Sequence, residues 1–147
     1  MKVEKRFIYK NKLKWKGNKT GIVEIENKPL VKISTPPEFG GPEGFWSPED
    51  LFVSSINSCL MTTFLYFTLK NNIELRDYIS EAEGIVEKKD SLKFTQVRVN
   101  IKIKIGENEN IQKIKTFIEL AEKYCLISNS VNFDIKVYPE IQKEKGV

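Results

Sequence analysis

Alternating apolar and polar residues predict most of the strands in this chain of 147 residues. The clearest segment is 92–105, where valine and isoleucine alternate with charged or amide side chains from Val97 to Ile105. Such alternation places the apolar side chains on one face of a sheet and the polar ones on the other. Weaker patterns bounded by turn residues predict further strands at 3–16, 21–34, 78–88 and 132–138. Within 21–34, a turn at residues 27–29 predicts a hairpin.

A long helix is predicted at 47–69, where apolar residues recur at helical spacing. Ser47 can cap it, Pro48 suits its first position, and the acidic Glu49 complements the positive end of the helix dipole. The Ser47…Asp50 spacing is that of a capping box. Because the helix is apolar nearly all round, it should be buried on most sides, and we expect a subunit interface to contribute to that burial.

The remaining segments complete an α+β order of elements. A second helix is predicted at 108–127, with one apolar stripe that ends at Cys125. Residues 35–44 contain three prolines and three glycines, which predicts a loop between the hairpin and the first helix. The order βββ–α–ββ–α–β predicts an α+β fold in a single domain over 1–147.

Composition changes this picture little. The chain is 40% hydrophobic and 30% charged, and its net charge of +4 is spread along the sequence, so we predict no nucleic-acid interface. Residues 1–6 are not followed by the apolar core of a signal peptide, and no run of about 18 apolar residues predicts a membrane span. These observations predict a cytoplasmic protein, whose thiols are normally reduced.

The absence of histidine narrows the candidate chemistry. It excludes Ser-His and Cys-His nucleophiles and mixed Cys/His metal sites. Two cysteines cannot by themselves fill a four-ligand zinc site, so we predict no metal. Thiol chemistry by Cys59 and Cys125 is therefore the first candidate. The alternative is that both are small apolar core residues, since free cysteine packs well in that role. A reactive Cys59 would need a cation or hydrogen-bond donors nearby, because burial raises a thiol pKa.

Two adjacent segments resemble a known family. The loop at 37–42 and the helix start at 47–60 are similar to the signature of osmotically induced protein C and the organic hydroperoxide resistance proteins, the OsmC/Ohr family. Glu49 and Cys59 match the spacing of that signature, and Cys125 lies on a later helix, as the family's second cysteine does. The resemblance implies an OsmC-like fold: a β-rich N-terminal part, two central helices packed on an antiparallel sheet, and an intertwined homodimer.

The resemblance also implies a reaction, the reduction of organic hydroperoxides in the response to oxidative stress. Cys59 would be the peroxidatic cysteine, Cys125 would resolve it as a disulfide, and Glu49 would complete the catalytic site. A dithiol reductant would then reopen the disulfide; in the organic hydroperoxide members it is a lipoylated protein. No metal or organic cofactor is implied. Phe39, Phe45 and Trp46 are either loop anchors in the core or walls of an apolar substrate pocket.

Two departures from the family pattern leave a rival interpretation open. The family pairs its glutamate with an N-terminal arginine, whereas Lys19 falls at the corresponding turn here. Lys19 is therefore the candidate cation that would activate Cys59, although lysine lacks the planar fork of arginine. Proline commonly follows the second cysteine in relatives, whereas Leu126 follows it here. The rival interpretation is a non-catalytic protein of the same fold that binds an apolar ligand at the dimer interface. A third interpretation is a purely structural dimer in which both cysteines are core residues.

Overall fold

The structure is a computed structural model that describes residues 5–146. The chain divides into two compact units, with the boundary between Leu51 and Phe52. The two units are described separately below. A single domain over 1–147 remains a prediction.

The first unit contains a three-stranded antiparallel sheet, in the order β1-β2-β3. Its strands are β1 (Lys12–Trp15), β2 (Thr20–Glu24) and β3 (Val31–Ser34). Gly17 and Asn27 have positive φ, at 98° and 63°, and lie in the two turns between these strands. The hairpin predicted within 21–34 is confirmed by the pairing of β2 with β3.

The first predicted strand, 3–16, is wrong over most of its length. Only Lys12–Trp15 is a strand, residues 5–11 are not, and residues 1–4 lie outside the described part. The reason is the length of the partner: β2 ends at Glu24, which pairs with Lys12, so earlier residues have no strand opposite them. Alternation alone cannot supply the missing hydrogen bonds.

The predicted start of the first helix is confirmed. Helix α1 spans Pro48–Lys70 and is preceded by a reciprocal capping box. The Asp50 N–H donates to Ser47 Oγ at 3.0 Å, and the Ser47 N–H donates to Asp50 Oδ2 at 2.9 Å. Two orphan donors of the helix start are thereby satisfied, which fixes the entry of the chain into α1.

The second unit contains a mixed sheet, in the order β4-β5-β6. Strands β4 (Leu75–Lys88) and β5 (Leu92–Gly106) form a long antiparallel hairpin. Strand β6 (Asp134–Glu144) pairs with β5 in parallel, so the expectation of an antiparallel sheet is wrong at this edge. Helix α2 (Ile111–Tyr124) lies between β5 and β6 in the chain and provides the crossover that parallel pairing requires.

Both ends of α2 lie inside the predicted range 108–127. Asn110 caps the helix, because its side chain accepts from the N–H groups of Gln112 and Lys113. The helix ends at Tyr124, and Cys125 follows it in an extended conformation, at φ −65° and ψ 108°. Cys125 is therefore the residue after the helix and not part of its last turn.

The core of the second unit combines both helices with β5. Helix α1 contributes a line of buried apolar residues, and α2 contributes a second line against alternate residues of β5. The alternation from Val97 to Ile105 is confirmed, since each apolar residue in it is buried. The buried apolar residues of the unit are Ile56, Leu60, Phe64, Val97, Val99, Ile101, Ile103, Ile105, Ile114, Phe117, Ile118, Ala121 and Cys125.

Helix α1 is less buried than its composition predicts. Four of its residues are buried within the chain, namely Ile56, Leu60, Phe64 and Thr68, whereas Tyr66 and Leu69 are 57% and 75% exposed.

The sequence analysis predicted no membrane span, and α1 corrects that prediction. In length and apolar composition alone, α1 is sufficient to cross a membrane. That evidence is weak, since the core helix of a soluble protein passes the same test. The expected subunit interface over α1 stays a prediction.

Candidate functional site

The structure brings the two cysteines together within the second unit. Cys59 lies on α1 and is partly exposed, whereas Cys125 follows α2 and is fully buried. Both are free thiols, and their side chains are close enough to hydrogen-bond to one another. Cys125 is held there by the end of α2, and the catalytic roles expected for the two cysteines stay predictions.

Hydrogen-bond donors surround the Cys59 sulfur. The Thr63 hydroxyl lies 3.9 Å from it, and the backbone N–H groups of Leu126 and Ile127 act on it as donors that lower its pKa. A short 3-10 turn at Ser128–Ser130 follows these donors. The Asn129 N–H donates to the Cys125 carbonyl at 3.0 Å, which closes a turn directly after Cys125.

The electrostatic balance at Cys59 favours the thiolate. Burial raises the pKa of Cys59, but hydrogen bonds from the Ile127 N–H, the Cys125 thiol, the Thr63 hydroxyl and the Leu126 N–H lower it further than burial raises it. The net result is a pKa below the ordinary cysteine value. A thiolate is the nucleophilic form of cysteine, so a lowered pKa increases the fraction of Cys59 that is in this form at a given pH.

Cys125 has the opposite tendency. Burial raises the pKa of Cys125, and the neighbouring Cys59 raises it as well, while hydrogen bonds from Ser128 partly offset both effects. The Ser128 hydroxyl donates to Cys125 Sγ at 3.1 Å. As pH rises, Cys59 therefore loses its proton first, and Cys125 remains a protonated neighbour that can donate toward the thiolate.

The donors at 126 and 127 were missed in the sequence. A backbone N–H has no side-chain signature, and Leu126 and Ile127 look like ordinary apolar residues. Thr63 could have been found, because it lies four residues after Cys59 and therefore on the same face of the helix. The sequence indicated that Cys59 needs a cation or donors, and the structure supplies donors.

Glu49 and Lys19 both belong to the first unit. One carboxylate oxygen of Glu49 is buried with no hydrogen-bond partner among the described residues, which is costly for a group that prefers a charge partner. The Lys19 ammonium donates to the carbonyls of Phe39 and Gly40, at 3.3 and 3.2 Å. In the part of the chain that the structure covers, Lys19 and Glu49 form no ion pair, and the roles expected for them stay predictions.

The three loop aromatics are not anchors in the core. Phe39, Phe45 and Trp46 are 51%, 36% and 52% exposed. Trp46 forms a single bridge with Ile33, and its carbonyl accepts from the Ser34 N–H at 2.9 Å. That backbone contact ties the end of the loop to β3, while the aromatic rings remain available. Their part in a substrate pocket stays a prediction.

An open cavity lies along α1, one helical turn from Cys59. It has a volume of about 600 Å³ and is lined by Thr62, Thr63, Tyr66, Phe67, Lys70 and Tyr124. Thr63 joins it to the thiol site, because the same hydroxyl lies 3.9 Å from Cys59 Sγ. The cavity therefore offers apolar surface beside the reactive sulfur.

The fold and the paired thiols define a class of protein. Residues 40–140 match the family model described as OsmC-like protein. The chain belongs to the OsmC-like protein family, and the resemblance noted in its sequence is confirmed.

Individual relatives agree with this assignment. The uncharacterized protein YmaD of Bacillus subtilis is 24% identical over 141 residues, which cover 92% of this chain and 93% of YmaD. Among solved structures, the OsmC-like protein of unknown function VCA0330 from Vibrio cholerae has a TM-score of 0.79 at 22% identity, covering 92% of this chain and all of that one. The organic hydroperoxide resistance protein OhrB of Bacillus subtilis has a TM-score of 0.63 at 18% identity, with coverages of 91% and 98%.

Proposed function

We propose that this protein is a thiol peroxidase that reduces organic hydroperoxides with Cys59 and Cys125. The observation that carries the proposal is the juxtaposition of a partly exposed Cys59 thiol, whose pKa is lowered, with a buried Cys125 thiol, whose pKa is raised. The family provides independent support, since it includes organic hydroperoxide resistance proteins of the same fold. One oxygen of Glu49 is buried without a hydrogen-bond partner among the described residues, which makes it a candidate to contact a charge partner.

The first half of the cycle oxidises Cys59. The thiolate attacks the terminal oxygen of the hydroperoxide, a sulfur–oxygen bond forms, and the oxygen–oxygen bond breaks. The alkoxide that leaves takes up a proton and becomes the alcohol, while Cys59 becomes a sulfenic acid. The N–H groups of Leu126 and Ile127 stabilise the attacking thiolate before this step.

The second half of the cycle forms a disulfide. The sulfur of Cys125 attacks the sulfenic acid of Cys59, and the departing hydroxide takes the Cys125 proton to form water. One hydroperoxide and two thiols thereby yield one alcohol, one water and one disulfide. An external dithiol, such as a lipoylated protein, then reduces the disulfide by exchange. We place this cycle in a homodimer in the cytoplasm, where thiols are kept reduced.

Peroxide consumption by cysteine variants tests the proposal. With cumene hydroperoxide and a dithiol reductant, Cys59→Ser should abolish turnover, because the attacking sulfur is gone. Without the dithiol, Cys125→Ser should consume one equivalent of hydroperoxide and leave a sulfenic acid on Cys59, which a dimedone adduct would reveal by intact mass. Ser58→Ala, one residue before Cys59 and exposed, is the matched control and should keep its activity. Equal activity of Cys59→Ser and the unaltered protein would refute the proposal.

A binding function is the second candidate, and the cavity of about 600 Å³ beside Cys59 is the observation that favours it. A binding protein would show no mass change after one equivalent of cumene hydroperoxide, and both thiols would remain alkylatable in denaturant. A peroxidase would lose two hydrogens and block both thiols. Intact mass therefore separates the two candidates in one experiment.

A further inference from the structure

A second, smaller cavity is lined by Ser128, whose hydroxyl contacts the sulfur of Cys125. The cavity has a volume of about 170 Å³ and is bounded by α1, the end of α2, the 3-10 turn and the start of β6. Its polar side chains are the Glu122 carboxyl, the Ser128 hydroxyl and the Asn129 amide. Its walls are completed by Leu60, Phe133 and Ile135. None of these residues lines the larger cavity along α1.

Glu122 and Ser128 flank Cys125 along the chain. Glu122 lies three residues before Cys125, in the last turn of α2, and Ser128 lies three residues after it. The N–H and the hydroxyl of Ser128 both donate to the Cys125 sulfur, the hydroxyl at 3.1 Å. The hydroxyl oxygen also has lone pairs, so it can accept one proton while it donates its own. Ser128 can therefore pass a proton from the cavity to Cys125.

The surroundings of Glu122 favour its protonated form. Burial raises the pKa of Glu122, and the negative charge of Glu119, one turn earlier in α2, raises it further. Within residues 5–146, Glu122 forms no ion pair, and the neighbouring Lys123 ammonium lies over the Tyr124 ring, 5.4 Å from its centre. Of the described residues that line the cavity, Glu122 alone is titratable. Its carboxyl therefore keeps its proton to a higher pH than an ordinary glutamate does.

We propose that Glu122, acting through the Ser128 hydroxyl, supplies the proton that Cys125 takes up when the disulfide is reduced. This inference rests on the disulfide of the proposed cycle and adds a proton donor to its last step. The cavity is larger than the roughly 30 Å³ that one water occupies in the liquid, so a water can join the carboxyl to the hydroxyl. Glu122 is partly exposed, so its carboxylate recovers a proton from solvent after each turnover.

The step breaks one bond and moves one proton to Cys125. A thiolate of the reductant attacks Cys59 Sγ, a new sulfur–sulfur bond forms between them, and the bond to Cys125 breaks. The electron pair of the broken bond stays on Cys125. Ser128 gives its hydroxyl proton to this sulfur and takes the proton of the Glu122 carboxyl, which leaves a carboxylate, an unchanged serine and a thiol. Because the pKa of Cys125 is raised, its sulfur takes up the proton readily.

The test follows reduction of the disulfide as a function of pH. The Cys59–Cys125 disulfide is formed with diamide and reduced with dithiothreitol, and intact mass after quenching with N-ethylmaleimide gives the rate. Each rate is divided by the fraction of dithiothreitol present as thiolate, which removes the pH dependence of the reductant. The normalised rate of the unaltered protein should rise as pH falls. Glu122→Gln should lower it about tenfold at about pH 5 and little at about pH 8, a smaller effect than a directly placed general acid gives, because solvent also reaches the cavity.

Two further variants separate proton transfer from a structural role. Ser128→Ala should remove the same rise at low pH, and adding Glu122→Gln to it should slow reduction no further, because both residues serve one path. Glu119→Gln is the matched control, since it makes the same change of charge on α2 but Glu119 does not line the cavity. This control should keep the rise and move its midpoint to lower pH, because the negative charge that raises the pKa of Glu122 is gone.

The outcomes distinguish this inference from the proposed function. Identical normalised profiles for the unaltered protein and Glu122→Gln would overturn this inference alone. Diamide forms the disulfide without a peroxide, so a protein that consumes no cumene hydroperoxide but shows the expected profiles would refute the peroxidase function and support the proton transfer. A protein in which diamide forms no Cys59–Cys125 disulfide would refute both.

Discussion

Replacing Leu126 by proline should remove one donor from the Cys59 thiolate and leave the fold intact. The Leu126 N–H is among the groups that lower the pKa of Cys59, and proline has no N–H. Cys125 already has the extended conformation, at φ −65° and ψ 108°, that a residue before proline prefers. The Leu126 side chain is 60% exposed, so little packing is lost.

The size of the effect follows from the kind of hydrogen bond. A bond to a charged group contributes about 1.5–3 kcal/mol when shielded from water. Because Cys59 is partly exposed and the Leu126 contribution is the smallest of those that lower its pKa, we discount this to about 1 kcal/mol. The ratio of thiolate to thiol at neutral pH should then fall about fivefold.

The assay is the pH dependence of iodoacetamide alkylation at Cys59, followed by peptide mass spectrometry. A thiolate becomes more nucleophilic as its pKa rises, which recovers about half of the effect, so the rate at neutral pH should fall only about twofold. At high pH the order should reverse, and Leu126→Pro should react faster than the unaltered protein. Leu126→Ala keeps the N–H and is the control. Superimposable profiles for the two variants would refute the assignment of this donor.

Two further predictions concern the thiol pair and the core. Because the pKa of Cys59 is lowered and that of Cys125 is raised, Cys59 should be alkylated first as pH increases. Cys125 should follow only above the pH range in which an ordinary cysteine reacts. Equal alkylation rates at the two cysteines would contradict this difference in pKa. Phe64→Ala should lower the free energy of unfolding by about 3–5 kcal/mol in urea titrations, because Phe64 is 1% exposed and packs against Tyr78 with ring centres 5.6 Å apart. A loss below about 1 kcal/mol would mean that the site can collapse around the smaller residue.

Local rules predicted the elements whose partners lie nearby in the chain. The capping box at Ser47 and Asp50 depends on two residues three apart, and both bonds form as expected. The alternation from Val97 to Ile105 predicted the buried face of β5, because successive side chains of a strand point to opposite faces of the sheet. These signals are contained within a few residues of sequence.

Features that depend on distant partners were predicted less well. The first strand was assigned too long because its limit is set by the end of β2 at Glu24. The parallel pairing of β6 depends on which edge of β5 is free after the crossover through α2. At the site, the absence of histidine already pointed to Cys59 and Cys125, and the family resemblance added their roles. The donors of Leu126 and Ile127 come from backbone conformation, which no residue type encodes.

In the proposed cycle, the unequal burial of the two sulfurs decides which sulfur of the disulfide the reductant attacks. An incoming thiolate attacks whichever sulfur of a disulfide it can reach, and Cys125 is fully buried while Cys59 is partly exposed. In the proposed cycle the reductant is therefore joined covalently to Cys59, and Cys125 is the leaving sulfur, with the Ser128 hydroxyl placed to donate to it. In that cycle the reductant would need to reach only the surface around Cys59, so substrate and reductant would use the same entrance in turn.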